Sequence, residues 1–323
     1  MSKVMLIGSD YFPYRGSGDK NFWLELVNLV ENELEEIVIL SLNNWDQKMV
    51  IQNPRITIYN IPPIKIKGND GTGRKCHRGF HKNYFEKSLT FIRILERAKK
   101  IARNHKIDVV HFMDIYGPIM FFTKRKVQDV RLTVSMPSYQ NRNYFYNVML
   151  KLSLNNVDKV ITYSEALKER LNSLGLQNNS IITIRWGVNT LKLKRDEVEK
   201  KETKKILDID ERSKVILWSG YLQQSSYEDF ICSIETARKV IKKVKNCIFI
   251  FAFKPEHFKS EYMMHNGKKI KIETNADIYK ILNITDILLS PISSKNSIIA
   301  PPLLWLEAMA YGIPIVTTEV GGV

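Results

Sequence analysis

The chain lacks most of the features that would place it outside the cell or in a membrane. Only three cysteines occur, Cys76, Cys232 and Cys247, and none of them forms a CxxC pair or another metal-binding spacing. A scattered, odd set of thiols argues against a disulfide framework and fits a reducing cytoplasm. No apolar run approaches the roughly 20 residues that a bilayer-spanning helix needs. The apolar stretch Val4-Met5-Leu6-Ile7 is too short for a signal peptide and reads as a buried strand. Repeats of fixed period and low-complexity tracts are missing too, and no motif for reading nucleic-acid bases is present, so a nucleic-acid partner is not expected.

Acidic residues are also in short supply: 34 Asp and Glu stand against 49 Lys and Arg, a net charge of +15. Much of the excess lies in residues 65–106, where Lys65, Lys67, Arg74, Lys75, Arg78, Lys82, Lys87, Arg93, Arg97, Lys99, Lys100, Arg103 and Lys106 face only three acids. A solvated helix face accounts for such a run. So does docking to an anionic membrane surface, where each basic residue contributes roughly 1 kcal/mol. The interleaved Phe80, Tyr84, Phe85 and Phe91 suit an interfacial helix.

What is there is ordinary globular sequence, 44% hydrophobic and 26% charged over 323 residues, enough for two domains. Short apolar runs alternate with amphipathic stretches, a rhythm of α/β units with parallel sheets. Strands are expected at 4–7, 36–41, 109–112, 131–135 and 158–163, with helices at 20–34, 85–104 and 165–174, the last stopped by Gly175. Residues 191–214 are charge-dense with few large apolar side chains and read as an exposed linker. The rhythm then restarts, with strands at 215–218, 247–253, 286–290 and 314–317 and helices at 227–242, 276–282 and 301–311. The expected domains are therefore 1–190 and 215–323, joined by 191–214.

Three places could carry chemistry. The turn after the first strand holds Gly16 and Gly18 ahead of a helix, where bare backbone and helix-start amides favour an anion. The spacing matches neither a dinucleotide fingerprint nor a phosphate loop. His111 ends the run Asp108-Val109-Val110-His111-Phe112, at the carboxyl end of a strand where ligands of open α/β sheets gather; a satisfied core histidine is the plainer alternative. The C-terminal run 301–314 carries Glu307 on a helix that Pro301 and Pro302 can open in their first turn and Gly312 closes. A carboxylate there suits a ribose diol, and Gly321-Gly322 could bring amides against phosphate.

These residues resemble the retaining glycosyltransferases of the GT-B fold, family 4. Asp108-Val109-Val110-His111 resembles the family's D-V-V-H strand, and Val157-Asp158-Lys159-Val160-Ile161-Thr162-Tyr163-Ser164 its A-D-x-V-I-x-x-S segment. Arg185-Trp186-Gly187-Val188-Asn189 resembles its N-G-V-D turn, and Trp218-Ser219-Gly220 the strand and glycine that open its donor domain. Leu306-Glu307-Ala308-Met309-Ala310-Tyr311-Gly312-Ile313-Pro314 with Val320-Gly321-Gly322 is similar to its L-E-A-M-A-x-G-x-P and V-G-G signatures. The resemblance implies two Rossmann-like α/β domains facing across a cleft. It also implies transfer of a sugar, of hexosyl type, from a nucleotide-diphosphate sugar with retention, without metal or other cofactor.

A lipid-linked, saccharide or protein acceptor is implied as well, as in polysaccharide biosynthesis, with the protein cytoplasmic or peripheral at the inner membrane face. By carry-over Glu307 holds the ribose, His111 lies beside the reacting sugar, and Gly16, Gly18, Gly220, Gly321 and Gly322 bring backbone close to the donor.

Several positions depart from the pattern. Ile299 stands where the family has a first glutamate eight residues before the second, and the basic pair expected after Gly220 is replaced by Tyr221 and Ser226. Arg185 or Lys254 would then have to meet the diphosphate. Met136 replaces a frequent histidine, and the chain stops at Val323, before a further strand and helices of the family, so the donor domain is expected to be incomplete. A GT-B relative that binds a nucleotide sugar or a partner without turnover is the alternative; a GT-B epimerase would need acid/base residues the chain does not display.

Overall fold

The computed structural model describes residues 1–8, 26–27, 29–30, 32–41, 53–61, 80–113, 130–136, 144–176, 180–220, 227–253, 267–274, 277–292 and 301–319. Two compact units divide between Arg185 and Trp186.

The first unit is built on seven strands, β1 (Lys3–Ile7), β2 (Glu36–Ser41), β3 (Ile56–Asn60), β4 (Val109–Phe112), β5 (Arg131–Met136), β6 (Lys159–Thr162) and β7 (Ile181–Thr183). They form one parallel sheet in the order β3-β2-β1-β4-β5-β6-β7. Helices α1 (Phe80–His105), α2 (Tyr144–Leu154) and α3 (Glu165–Asn172) accompany it. Leu6, Ile37 and Ile39 pack into one apolar cluster with Val27 and Met113. Their strand neighbours Met5, Ile7, Val38 and Leu40 are buried as well, so both faces of the sheet are covered, as a parallel sheet requires. The last turn of α1 is tied to the sheet by His105, whose Nδ1 lies 2.6 Å from Glu36 Oε1 and Nε2 2.8 Å from the Tyr59 hydroxyl.

The second unit repeats the plan with five parallel strands, β8 (Lys214–Ser219), β9 (Cys247–Ala252), β10 (Ile270–Glu273), β11 (Ile287–Ser290) and β12 (Ile315–Thr317), in the order β10-β9-β8-β11-β12. Its helices are α4 (Glu197–Ile206), α5 (Tyr227–Lys243), α6 (Ile278–Ile284) and α7 (Leu303–Ala310). Strand alternation sorts its core cleanly. Cys247, Phe249 and Phe251 meet Trp218 and the α5 residues Phe230 and Ile234 on one face. Ile248, Ile250 and Ala252 meet the α6 and α7 residues Ile281, Trp305 and Ala308 on the other. The ring centroids of Trp218, Phe230 and Phe251 lie 5.3–5.9 Å from one another in tilted and edge-to-face geometry, and burial of each ring contributes roughly 2–3 kcal/mol.

One device recurs in both units. An aspartate just before a strand accepts a hydrogen bond from the amide of the neighbouring strand. Lys3 N donates to Asp108 Oδ2 at 2.7 Å, Leu132 N to Asp158 Oδ2 at 2.8 Å, and Val215 N to Asp286 Oδ2 at 2.9 Å. Asp108 and Asp158 of the D-V-V-H and A-D-x-V-I runs are thus structural: they satisfy amides that the amino ends of the strands leave over.

The structure departs from the sequence expectations in particular places. The charged segment 191–214 is no bare linker; it holds α4 and belongs to the second unit. Its apolar anchors lie outside the helix, at Leu193 and Ile209, both in the core. Within α4 the apolar Val198 and Ile206 are 70% and 78% exposed, so no amphipathic stripe marks the helix. Polar groups hold it instead. Asp196 caps it through Val198 N and Glu199 N, and buried Asn283 bonds Asp196 N and O. Lys204 is buried with its Nζ on the carbonyls of Glu211 and Ser213, and burial lowers its pKa.

Strands β3, β7 and β10 and helix α2 were not expected, and Met136 ends the fifth strand. The two helix-stopping glycines do adopt left-handed backbone, with φ 76° at Gly175 and 69° at Gly312. Helix α7 starts at Leu303, with Pro302 extended as its N-cap (φ −58°, ψ 143°) rather than inside the first turn.

Candidate functional site

In both sheets the strand order reverses beside the first strand, between β1 and β4 and between β8 and β11. Ligands of open α/β sheets bind outside the carboxyl ends of strands at such reversals. Of the residues singled out from sequence, His111 is on β4, Gly220 directly follows β8, and Glu307 is on the helix that follows β11. Arg185 lies just beyond β7 and is exposed. Gly16, Gly18, Lys254, Gly321 and Gly322, together with Tyr221, Ser226 and Ile299, lie outside the described residues.

His111 is buried in the sheet and bonded at both ring nitrogens. Thr133 Oγ1 is 2.7 Å from Nδ1, and Ser135 Oγ is 3.1 Å from Nε2. Both hydroxyls come from β5, two residues apart on one face, and Thr133 is the register partner of His111. Burial lowers the imidazole pKa from 6.5 to about 4. At neutral pH the ring is uncharged, donating through one nitrogen and accepting through the other.

Glu307 is half-buried on α7. The first turn of that helix is fixed to the sheet by Trp305, whose Nε1 donates to Ser290 Oγ at the end of β11 (2.9 Å). Beside it, Thr318 closes the segments beyond β11 and β12: it accepts from Ile292 N at 2.9 Å and donates to Ile292 O at 2.7 Å. The Tyr279 hydroxyl, on α6, donates to Glu307 Oε1 at 3.1 Å. Burial raises the Glu307 pKa, and the Tyr279 hydrogen bond opposes that rise. The surroundings are acidic: the raised pKa of the Tyr311 phenol comes first from burial and then from Glu199, Asp277 and Glu307. Among the described residues no cation pairs with Glu307, and Oε2 has no hydrogen-bond donor.

Sequence reasoning missed Tyr279, because nothing local in an ordinary helix marks a residue whose partner is 28 positions away. It missed Arg195 too, which donates to the carbonyls of Thr285 and Tyr311, the C-caps of α6 and α7, at 2.9 and 3.1 Å. A cation at two helix carboxyl ends complements both dipoles. Among the described residues, a Cβ added at Gly220 would meet only the Trp218 ring, at 3.4 Å. Among the described residues no group of three or more His, Cys, Asp or Glu could hold a metal ion, and no helix is long and apolar enough to cross a membrane.

Residues 61–191 match the family Glycosyltransferase Family 4. No curated protein matches the chain. Among solved structures it is similar to Anabaena HepE in complex with UDP and glucose, at 12% identity and TM-score 0.67, over 100% of this chain and 82% of that one. A glycosyltransferase from Rickettsia africae (14%, TM-score 0.71) matches over 100% of this chain and 80% of its own. The sucrose-phosphate synthase of Thermosynechococcus elongatus (14%, TM-score 0.69) matches over 99% and 82%. The chain thus has the α/β GT-B fold of two Rossmann-like units, and over residues 61–191 it is similar to Glycosyltransferase Family 4.

Proposed function

We propose that the protein is a glycosyltransferase that moves a sugar, of hexosyl type, from a nucleotide-diphosphate sugar to an acceptor with retention of anomeric configuration. The observation that carries the proposal is Glu307: a half-buried carboxylate beside the strand reversal of the second unit, with one oxygen bonded to Tyr279 and the other without a donor among the described residues. A ribose diol supplies two donors to such a group. The family match over residues 61–191 and the UDP held by Anabaena HepE support the same ligand class.

In this reading Glu307 accepts from the ribose hydroxyls. Gly220, directly after β8, admits the donor close to the backbone. Gly16, Gly18, Gly321 and Gly322 supply amides to the diphosphate, while Arg185 and Lys254 replace the cations missing after Gly220 and stabilise the leaving group. No metal or other cofactor is assigned a role. The acceptor is lipid-linked, saccharide or protein, and the protein works in the cytoplasm at the inner membrane face. There the exposed Arg97, Lys100, Arg103 and Lys106 at the end of α1 meet anionic headgroups.

Titration calorimetry with UDP-, GDP- and ADP-sugars tests the donor site, and proton NMR of the transferred or hydrolysed sugar tests retention. If no nucleotide sugar binds, the proposal fails. Sedimentation with anionic but not zwitterionic vesicles, abolished by charge reversal at Arg97, Lys100 and Arg103, tests the membrane contact.

The bonding of His111 favours a second reading. With both nitrogens engaged by Thr133 and Ser135, the imidazole is held as a core group would be. A GT-B relative that binds a nucleotide sugar without turning it over would show this arrangement. Donor binding without transfer or hydrolysis would select it.

A further inference from the structure

We propose that Tyr279 is a positioning residue of the nucleotide site, holding the Glu307 carboxylate in place to accept the ribose hydroxyls of a nucleoside diphosphate. The inference rests on the ribose role of Glu307 and goes beyond it by assigning the group that acts through that carboxylate.

The two residues stand on different helices, so the 3.1 Å bond fixes the Glu307 side chain from outside its own helix. Tyr279 stands on a clamped platform. Asp277 caps α6 by accepting from Tyr279 N at 2.9 Å, and Arg195 holds the other end through Thr285 O at 2.9 Å. Ile281, Leu282, Asn283 and Ile284 are all buried between these ends. A tyrosine anchored in this way has little freedom to lose when it orders a partner.

A carboxylate whose only task was to pack α7 on α6 would be costly here. Burial disfavours its charged form, and no described cation answers it. The Tyr279 hydroxyl favours that charged form, and Oε2 keeps its acceptor capacity. Both effects serve a ligand that brings hydroxyl donors.

The test uses the full chain. UDP, GDP, ADP and CDP are titrated by calorimetry, and the tightest is carried forward with its 2′-deoxy counterpart across mildly acidic to neutral pH. Glu307→Gln is expected to weaken binding about tenfold or more and to erase most of the preference for ribose. Tyr279→Phe should weaken ribonucleotide binding roughly three- to tenfold and narrow the ribose preference. It should also move the acid limb of binding to higher pH, because the carboxylate loses the donor that favours its charged form. In a Glu307→Gln background, Tyr279→Phe should change nothing further.

A tyrosine that only packs would lower the melting temperature and leave the ribose preference and the acid limb where they were; that result overturns the inference while leaving Glu307 its role. Unchanged binding in Glu307→Gln, or no binding of any of the four nucleotides, overturns the ribose reading and this inference with it. Tyr279→Met, which fills the space without a donor, replaces the phenylalanine variant if that one does not fold.

Discussion

The two units share one plan, a parallel sheet that reverses beside its first strand and aspartates that close strand ends, yet each treats a buried ionisable group differently. In the first unit, His111 is enclosed and both nitrogens are answered by hydroxyls of the next strand. In the second, Glu307 is half-enclosed and, among the described residues, answered on one oxygen only. Burial alone does not separate a structural group from a binding group. What separates them is whether the described protein groups complete the hydrogen bonding or leave an acceptor open to water or to a ligand.

The largest effect should come from breaking the satisfied side of the comparison. His111→Ala strands the Thr133 and Ser135 hydroxyls and leaves a void between β4 and β5, so denaturant unfolding should show a loss of about 3 kcal/mol. The parent should also lose stability as pH falls from 6.5 towards about 4, because over that range the unfolded chain binds a proton that the buried ring refuses. The alanine variant should lack that slope. A variant as stable as the parent would remove the structural role of the network.

The open side of the comparison should answer in the opposite sense. The raised pKa of Glu307 means that the folded state takes up a proton more readily than the unfolded chain, so its contribution to stability is present in acid and lost as pH rises through the folded value. Glu307→Gln should therefore melt at the same or a higher temperature than the parent at neutral pH, while nucleotide affinity falls about tenfold or more. A loss of stability without loss of affinity would make Glu307 a second His111.

Much of this frame was legible in the sequence, for physical reasons that differ by element. Strands such as β1, β4, β9 and β11 are buried on both faces and so appear as continuous apolar runs. The stops at Gly175 and Gly312 were visible because a left-handed residue after a helix favours glycine. Helix α4 was not legible, since its own apolar residues face water and its attachment runs through Asn283 and Arg195, distant in sequence. Glu307 could be picked out only through its signature, and its environment could not be seen at all. That environment depends on Tyr279, which no local pattern marks. The glycines expected at Gly16, Gly18, Gly321 and Gly322 lie outside the described residues and stay with the proposal.

The smallest predicted effects sharpen the shared part of the plan. Each of Asp108, Asp158 and Asp286 accepts from one strand-end amide, and Asp286, unlike the exposed Asp108, also takes Lys214 Nζ at 3.0 Å. Burial alone would raise the Asp286 pKa; the Val215 amide and Lys214 outweigh it and bring the value below the ordinary one. Its contribution is therefore present at neutral pH and lost as pH falls through the folded value, below 3.8. Alanine at Asp286 should cost about 1–2 kcal/mol, and less at the exposed Asp108. If chemical denaturation returned equal losses at Asp286 and Asp108, burial and the lysine would be irrelevant. The device would then rest on the amide bond alone, and the two units would be more alike than their environments indicate.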